Sequence, residues 1–243
     1  MTEQKNNICG VLNLNKPQGC SSHDMVYFVR RLLGIKKVGH AGTLDPMASG
    51  VLIVLVGGAT KLSDLLSNHD KSYRAVLKLG IATDTMDITG KITKNTSGAL
   101  PGLEDVKAAA QGFLGDIWQI PPIYSAIKIK GKKLYEYARE GVEIKPNPRQ
   151  VSIYSITCDK TDKTGEYILD IACSKGTYIR SLCHDIGEKL LCGGVMAALS
   201  RTRSGEFDIS GAYTPEYLES YKAEWGIEAL GSLLVSCEDI LNN

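Results

Sequence analysis

Gly39-His40-Ala41-Gly42-Thr43-Leu44-Asp45-Pro46, with the run Val51-Leu52-Ile53-Val54-Leu55-Val56 close behind it, is the stretch from which the fold is read. The β-branched run reads as a buried strand. The octapeptide before it sets one acid and one imidazole among small residues. Gly39 and Gly42 permit backbone angles that other residues resist and leave room for a bulky ligand. Pro46 restricts Asp45 to an extended or turn conformation. Two readings of Asp45 follow. It is the N-cap of a helix whose first residue is Pro46, or it is a carboxylate held at the lip of a buried strand for chemistry. Gly50 and the run at 51–56 leave almost no helix to cap, which weakens the first.

Working outward, Val11-Leu12-Asn13-Leu14 alternates as a strand does, and Lys16-Pro17-Gln18-Gly19 is a turn. Ser21-Ser22 caps a helix reaching Gly34, with Met25, Val26, Val29, Leu32 and Leu33 on its apolar side. A helix is expected from Thr60 to Asn68, a half-buried strand over 73–79, and an amphipathic helix over 103–114. Strands at 151–156 and 167–173 pair most simply as a hairpin. Thr177 starts a helix carrying Ile179, Leu182, Ile186 and Leu190, Gly193-Gly194 ends it, and a short strand runs to Ser200. Strands and helices mix without strict β-α-β alternation, and no repeat or interdomain linker interrupts them. The fold class is therefore α+β, in one domain.

The bulk composition narrows the function. At 243 residues, with 43% hydrophobic and 23% charged residues, the chain buries a substantial core. No apolar stretch approaches the ~20 residues of a membrane span, and Met1 to Gly10 lack the apolar region of a signal peptide. Seven scattered cysteines form no Cys-x-x-Cys pair. They imply a reducing, cytoplasmic setting with neither a disulfide frame nor a zinc site. The net charge of +1 hides an asymmetry. From Thr214 to Asn243 six acids face the single base Lys222, a local charge of −5, so the other 213 residues carry +6. Bases cluster at Arg30-Arg31, Lys36-Lys37, Lys128/Lys130/Lys132/Lys133 and Arg201/Arg203. Such clusters are commonly solvated faces; four of them beside candidate chemistry point to a phosphate-bearing ligand.

Arg180 is the sharper clue. It falls in the first turn of the helix begun at Thr177, where the helix dipole disfavours a cation. A carboxylate partner removes that penalty, and a buried Arg–Asp pair keeps the acid ionised. Asp45 is the expected partner. His40 is either an ordinary hydrogen-bonded side chain or a group that something large approaches; no second ligand stands at metal-binding spacing from it. Tyr73 and Tyr178 are strand or core filler, or faces on which a nucleic-acid base stacks, each stack being worth roughly 1–3 kcal/mol. Lys128-Ile129-Lys130-Gly131-Lys132-Lys133-Leu134-Tyr135 has the composition of a phosphate-gripping arm.

Five ordered stretches across residues 10–205 resemble the TruB-type tRNA pseudouridine synthases. They are the opening Gly10 to Ser22 with Lys16-Pro17, the loop Gly39 to Gly50 around Asp45, Asp70-Lys71-Ser72-Tyr73, Cys173 to Leu182 around Tyr178 and Arg180, and Leu199-Ser200-Arg201-Thr202. The resemblance implies a pseudouridine-synthase-like domain with a central mixed, largely antiparallel sheet flanked by helices. It implies isomerisation of the uridine at position 55 in the T loop of tRNA, by an enzyme that needs no metal or organic cofactor. Asp45, Tyr73 and Arg180 are then the catalytic set. His40, Tyr178, Leu199, Lys16 and Lys130 are substrate-binding residues, and a thumb-like RNA-gripping segment covers 120–149. The uridine must leave its stack, because a stacked nucleotide hides its glycosidic bond.

The sequence departs from the family pattern at Ala41, where Thr is usual, and at Ile53, where Pro is usual. Bacterial members commonly continue into a small RNA-binding PUA-type domain. The expectation for this sequence is a catalytic domain over 1–243 with an acidic helical tail and no PUA-type domain. A cytoplasmic monomer is expected, with tRNA as its partner and no membrane, guide RNA or obligate protein partner. The rival reading is a T-arm binder that folds tRNA without chemistry. A guide-RNA-dependent subunit is a third.

Overall fold

The structure is a computed structural model and describes residues 8–125, 127–129, 131–142 and 144–242. These fall into two compact units, one formed by the described residues up to Ser72 together with those from Ser200 on, and the other by those from Tyr73 to Leu199.

The first unit is built on the apolar run of the sequence. β1 (Gly10–Lys16) is followed by α1 (Ser22–Leu33), β2 (Val38–Ala41), β3 (Ser49–Val56) and, after a 3-10 turn, α2 (Ser63–Ser67). β3 is buried from Gly50 to Val56 on both faces, as an uninterrupted β-branched and aliphatic run requires. β1 covers one of its edges in antiparallel register, Gly10 opposite Val56 and Lys16 opposite Gly50. β2 pairs antiparallel with it from Ala41 opposite Ile53 to Val38 opposite Val56. α1 starts where Ser21 and Asp24 cap each other reciprocally and stops at Gly34 in the left-handed conformation, the ends foreseen from the sequence.

The second unit contains β4 (Lys71–Leu79, from Tyr73 onward), β5 (Ile81–Thr83), β6 (Ile92–Asn95), α3 (Leu103–Gln111) and β7 (Gly115–Gln119). The basic segment follows as a small hairpin, β8 (Lys128–Ile129) with β9 (Lys132–Lys133), leading into α4 (Leu134–Arg139). β10 (Arg149–Lys160) and β11 (Glu166–Cys173) form the expected hairpin, longer than the sequence suggested and bulged between Ile153 and Ser155. α5 (Ile179–Lys189) and β12 (Gly194–Ser204) complete it. The strand order here is β12-β4-β11-β10-β7, with α3 against β10 and α5.

Beyond Leu199 the chain is back in the first unit. There Ser200 and Arg201 make a parallel contact with Ser49 and Gly50 of β3, and β13 (Phe207–Asp208) folds back on β12. α6 (Pro215–Trp225) and α7 (Cys237–Asn242) make the acidic tail helical. Val235 exchanges two backbone hydrogen bonds with Val11. The fold is α+β: β3 pairs antiparallel with β1 and β2, β10 with β11 and β7, and β12 with β13, whereas the contact of β12 with β3 is parallel.

Local chemistry explains the differences from the sequence reading. The helix expected at 60–68 is a 3-10 turn over 57–62 before α2, with the Thr60 hydroxyl bonded back to the Gly57 carbonyl at 2.9 Å; such bonds compete with the α-helical ladder. α5 begins two residues late because Thr177 Oγ1 donates to the Ser174 carbonyl at 2.9 Å and closes a turn there. β2 was not foreseen, since Gly39 and the small residues around it blur a strand's period.

Candidate active site

Asp45 lies in the loop between β2 and β3, half-buried, with no helix after it. The capping reading is thereby excluded: Pro46 and Met47 form a turn, closed by the Ala48 amide on the Asp45 carbonyl at 3.0 Å, and β3 begins at Ser49. The loop is held from three directions. Ser22 Oγ, at the start of α1, accepts the Leu44 amide at 2.8 Å and donates to the Leu44 carbonyl at 3.1 Å. The Gly19 amide donates to the Pro46 carbonyl at 2.8 Å. Arg201, 1% exposed, donates from Nε to the Val51 carbonyl at 2.7 Å and from Nη2 to the Gly42 carbonyl at 3.1 Å. Gly42 has φ of 84°, a conformation that costs glycine little and other residues much.

Lys16 sits beneath this loop with no exposed surface. Its ammonium donates to the carbonyls of Pro17 at 2.8 Å and Cys20 at 2.7 Å, and reaches the Pro46 carbonyl at 3.5 Å. An ammonium has three N–H donors, so this one is occupied in clamping the turn at 17–20 and the residue after Asp45. Burial lowers the Lys16 pKa; the charges of Cys20, Asp45 and Asp24 oppose the shift and Arg201 adds to it. His40 is half-buried in β2, and its pKa is lowered by burial first, then by His23 and Arg201. Its Nδ1 has no hydrogen-bond partner among the described residues.

Tyr73, Tyr178, Arg180 and Leu199 fall in the second unit, while Lys16, His40 and Asp45 fall in the first. Arg180 is buried in the first turn of α5, as the sequence placed it. Its Nη2 donates to the Tyr124 carbonyl at 2.9 Å, and its Nη1 to the Thr85 carbonyl at 3.4 Å. Nη1 also lies 3.8 Å from Oδ2 of the buried Asp87. The other oxygen of Asp87 accepts from Thr85 Oγ1 at 2.8 Å and from the Thr89 amide and hydroxyl at 2.9 and 2.6 Å. Tyr178 is half-buried directly before α5, with its amide and carbonyl both bonded to the side chain of Gln119. Tyr73 is half-buried and Leu199 buried. Lys130, expected to grip phosphate, lies outside the described residues.

Sequence reasoning missed Asp87, Gln119 and the loop-clamping role of Arg201. A signal for the first was present: Asp84-Thr85-Met86-Asp87-Ile88-Thr89-Gly90 is a turn-rich stretch of acids and hydroxyls, the composition of side chains that bond locally to backbone. Nothing in the sequence marked Gln119 as buried.

Comparison with known proteins shows the family. The family model described as TruB family pseudouridylate synthase, N-terminal domain, matches residues 30–179. That described as tRNA pseudouridylate synthase B C-terminal domain matches 180–242. The protein named tRNA pseudouridine synthase B of Caldanaerobacter subterraneus subsp. tengcongensis is 51% identical over 215 residues, covering 88% of this chain and 75% of that protein. The protein of the same name from Alkaliphilus oremlandii is 52% identical over 211 residues, covering 87% and 70%. Among solved structures, a chain of a Cbf5-Nop10-Gar1 complex is similar with a TM-score of 0.72 and 30% identity, over 96% of this chain. A chain of an H/ACA RNP bound to a substrate RNA containing 2′-deoxyuridine gives 0.67 and 27%, over 94%. This chain spans 61% of the length of each of those two. It belongs to the TruB family of pseudouridylate synthases. It is therefore an enzyme, an isomerase that makes pseudouridine. No helix among the described residues is long and apolar enough to cross a membrane.

Proposed function

We propose that this enzyme acts on tRNA, converting the uridine at position 55 of the T loop to pseudouridine, with Asp45 as its essential carboxylate. The observation that carries the assignment is the framing of Asp45. Ser22 fixes the residue before it, Gly19 and Lys16 fix the residue after it, and Arg201 fixes the loop's flanks at Gly42 and Val51. A carboxylate so constrained needs little reorganisation as it meets a ribose. Relatives about half identical to this chain and named tRNA pseudouridine synthase B support tRNA as the substrate.

In this reading the uridine is extruded from its stack. Asp45 attacks the ribose, or takes a proton from it, as the bond from C1′ to N1 breaks. The freed uracil turns and C5 bonds to C1′, displacing Asp45 where it had bonded there, or with return to the sugar of the proton Asp45 had taken. The C5 proton then leaves and N1 gains one, so the nucleotide keeps its atoms and the carboxylate is restored. Tyr73 stacks on the base and assists loss of the C5 proton. Arg180 is the cation of the catalytic set, and His40, Tyr178 and Leu199 pack around the flipped nucleotide. Lys130 and its basic neighbours grip the RNA, and Lys16 holds the Asp45 loop in place. The enzyme works in the cytoplasm as a monomer, without guide RNA or organic cofactor.

Unmodified tRNA incubated with wild type or Asp45→Asn, then mapped chemically for pseudouridine, tests the proposal. Wild type is expected to modify position 55 alone, and Asp45→Asn to bind the RNA equally well without product. Product from Asp45→Asn would remove the assigned role, and pseudouridine at another position would remove the assigned site.

A further inference from the structure

Four hydrogen bonds tie the root of the basic segment to the start of α5. Gln119, the last residue of β7, is 1% exposed, and its amide serves a single residue. Its Oε1 accepts the Tyr178 amide at 2.7 Å, and its Nε2 donates to the Tyr178 carbonyl at 3.0 Å. Beside it, Ser181 Oγ donates to the Ile120 carbonyl at 2.8 Å. Arg180 Nη2 donates to the Tyr124 carbonyl at 2.9 Å. Tyr178 stands at the helix boundary with extended backbone (φ −102°, ψ 110°) and no side-chain cap of its own.

A primary amide that satisfies both polar groups of one backbone residue reproduces the pairing a neighbouring strand would give. Burying it costs desolvation, which the two bonds offset. Packing alone would be served as well by an apolar side chain. What the amide adds is direction, because it holds Tyr178 extended at the residue where the chain turns into the helix bearing Arg180.

We infer that Gln119 is a positioning residue for the reaction: its amide sets the backbone of Tyr178, and with it the aim of the Tyr178 ring and of Arg180 at the start of α5. Because Gln119 opens the segment that continues into the basic hairpin and α4, the same bonds link the RNA-gripping segment to the residues around the flipped nucleotide. This rests on the reading of Tyr178 and Arg180 as site residues. Gln119 touches no substrate and acts through Tyr178, so its loss slows the chemical step more than it weakens RNA binding.

Gln119→Glu isolates the donor. A carboxylate still accepts the Tyr178 amide but cannot donate to its carbonyl, whereas a protonated carboxyl does both. Burial raises a carboxyl pKa, so acid restores the missing bond. Single-turnover rates on unmodified tRNA at saturating enzyme are compared with wild type at each pH. Gln119→Glu is expected to be about tenfold slower near pH 8 and to approach the wild-type rate near pH 5.5, as loss of one buried hydrogen bond implies. Gln119→Leu is expected to be slow at both, and RNA affinity to stay within about twofold. A Gln119→Glu to wild-type ratio that does not change with pH overturns the inference, as does a loss carried by affinity. So does a Gln119→Glu protein unfolded by circular dichroism near pH 8, because the residue would then serve the fold rather than the placement of Tyr178. If wild type itself makes no pseudouridine in this RNA, the functional reading fails instead, so the two failures are distinct.

Discussion

Asp87 holds Oδ2 3.8 Å from the Arg180 guanidinium, with both side chains buried. Three donors from Thr85 and Thr89 fix the other Asp87 oxygen, so the carboxylate cannot swing away from the arginine. Asp87→Asn keeps the shape and removes the charge. Taking away one member of a buried pair is expected to cost about 3 kcal/mol, read as a lower denaturant midpoint. Turnover should fall as well, since Arg180 loses a charged neighbour that helps to hold its guanidinium. Wild-type stability and turnover together would show that the contact is incidental.

Ser22 is the corresponding support for Asp45. Replacing it with Ala leaves the Leu44 amide without its 2.8 Å acceptor in a buried setting. An orphaned buried donor costs roughly 1–3 kcal/mol. The expected result for Ser22→Ala is a stability loss in that range, with a lower single-turnover rate and unchanged RNA affinity. An unchanged rate would mean that the loop keeps its shape without the hydroxyl.

The outline of the fold was legible wherever a local rule and burial agree. Ser21, Asp24 and Gly34 delimit α1, and the run at 51–56 is the doubly buried β3. Ala75, Leu77 and Leu79 mark the buried face of β4. The helix over 60–68 was misread because the Thr60 hydroxyl competes with the helical ladder. Asp45 could be picked out because Pro46 restricts it and no helix follows it. Gln119 could not, because its meaning lies in a partner distant in sequence; for Asp87 the turn-rich stretch 84–90 carried a signal, but not which of its acids is buried. The resemblance counts Lys16 among the substrate-binding residues; its complete burial among carbonyls could not be read from a Lys-Pro turn.

Gly50 lies opposite Arg201 across the parallel contact of β3 and β12, with φ of 102°. A Cβ there would collide with the carbonyl oxygen and amide nitrogen of Arg201, and backbone cannot move aside as a flexible side chain can. Gly50→Ala therefore combines a strained backbone with overpacking, at a combined cost of about 3 kcal/mol or more. Because Arg201 also holds the Gly42 carbonyl, the Asp45 loop should loosen with it. Limited proteolysis of folded Gly50→Ala is expected to cut within 42–48 faster than in wild type. A variant as stable and as resistant as wild type would mean that the two strands separate without cost.

His40 makes stability depend on pH in a definite direction. Burial, then the charges of His23 and Arg201, hold its pKa below the usual 6.5. As the pH falls through 6.5 the unfolded chain takes up a proton that the native imidazole still refuses, so the unfolded state gains. The stability tied to neutral His40 is thus fully present above 6.5 and is lost as the pH falls through the lower native value. Asp24 and Asp208, whose carboxyl pKa values are lowered from 3.8, lose their contributions only in more acid solution, so the two effects separate on the pH axis. Denaturant unfolding of wild type and His40→Gln across this range isolates the histidine. Wild type is expected to weaken on acidification below 6.5 while His40→Gln stays level until the carboxylates titrate. Parallel curves for the two proteins would mean that the native imidazole takes its proton as readily as the unfolded one.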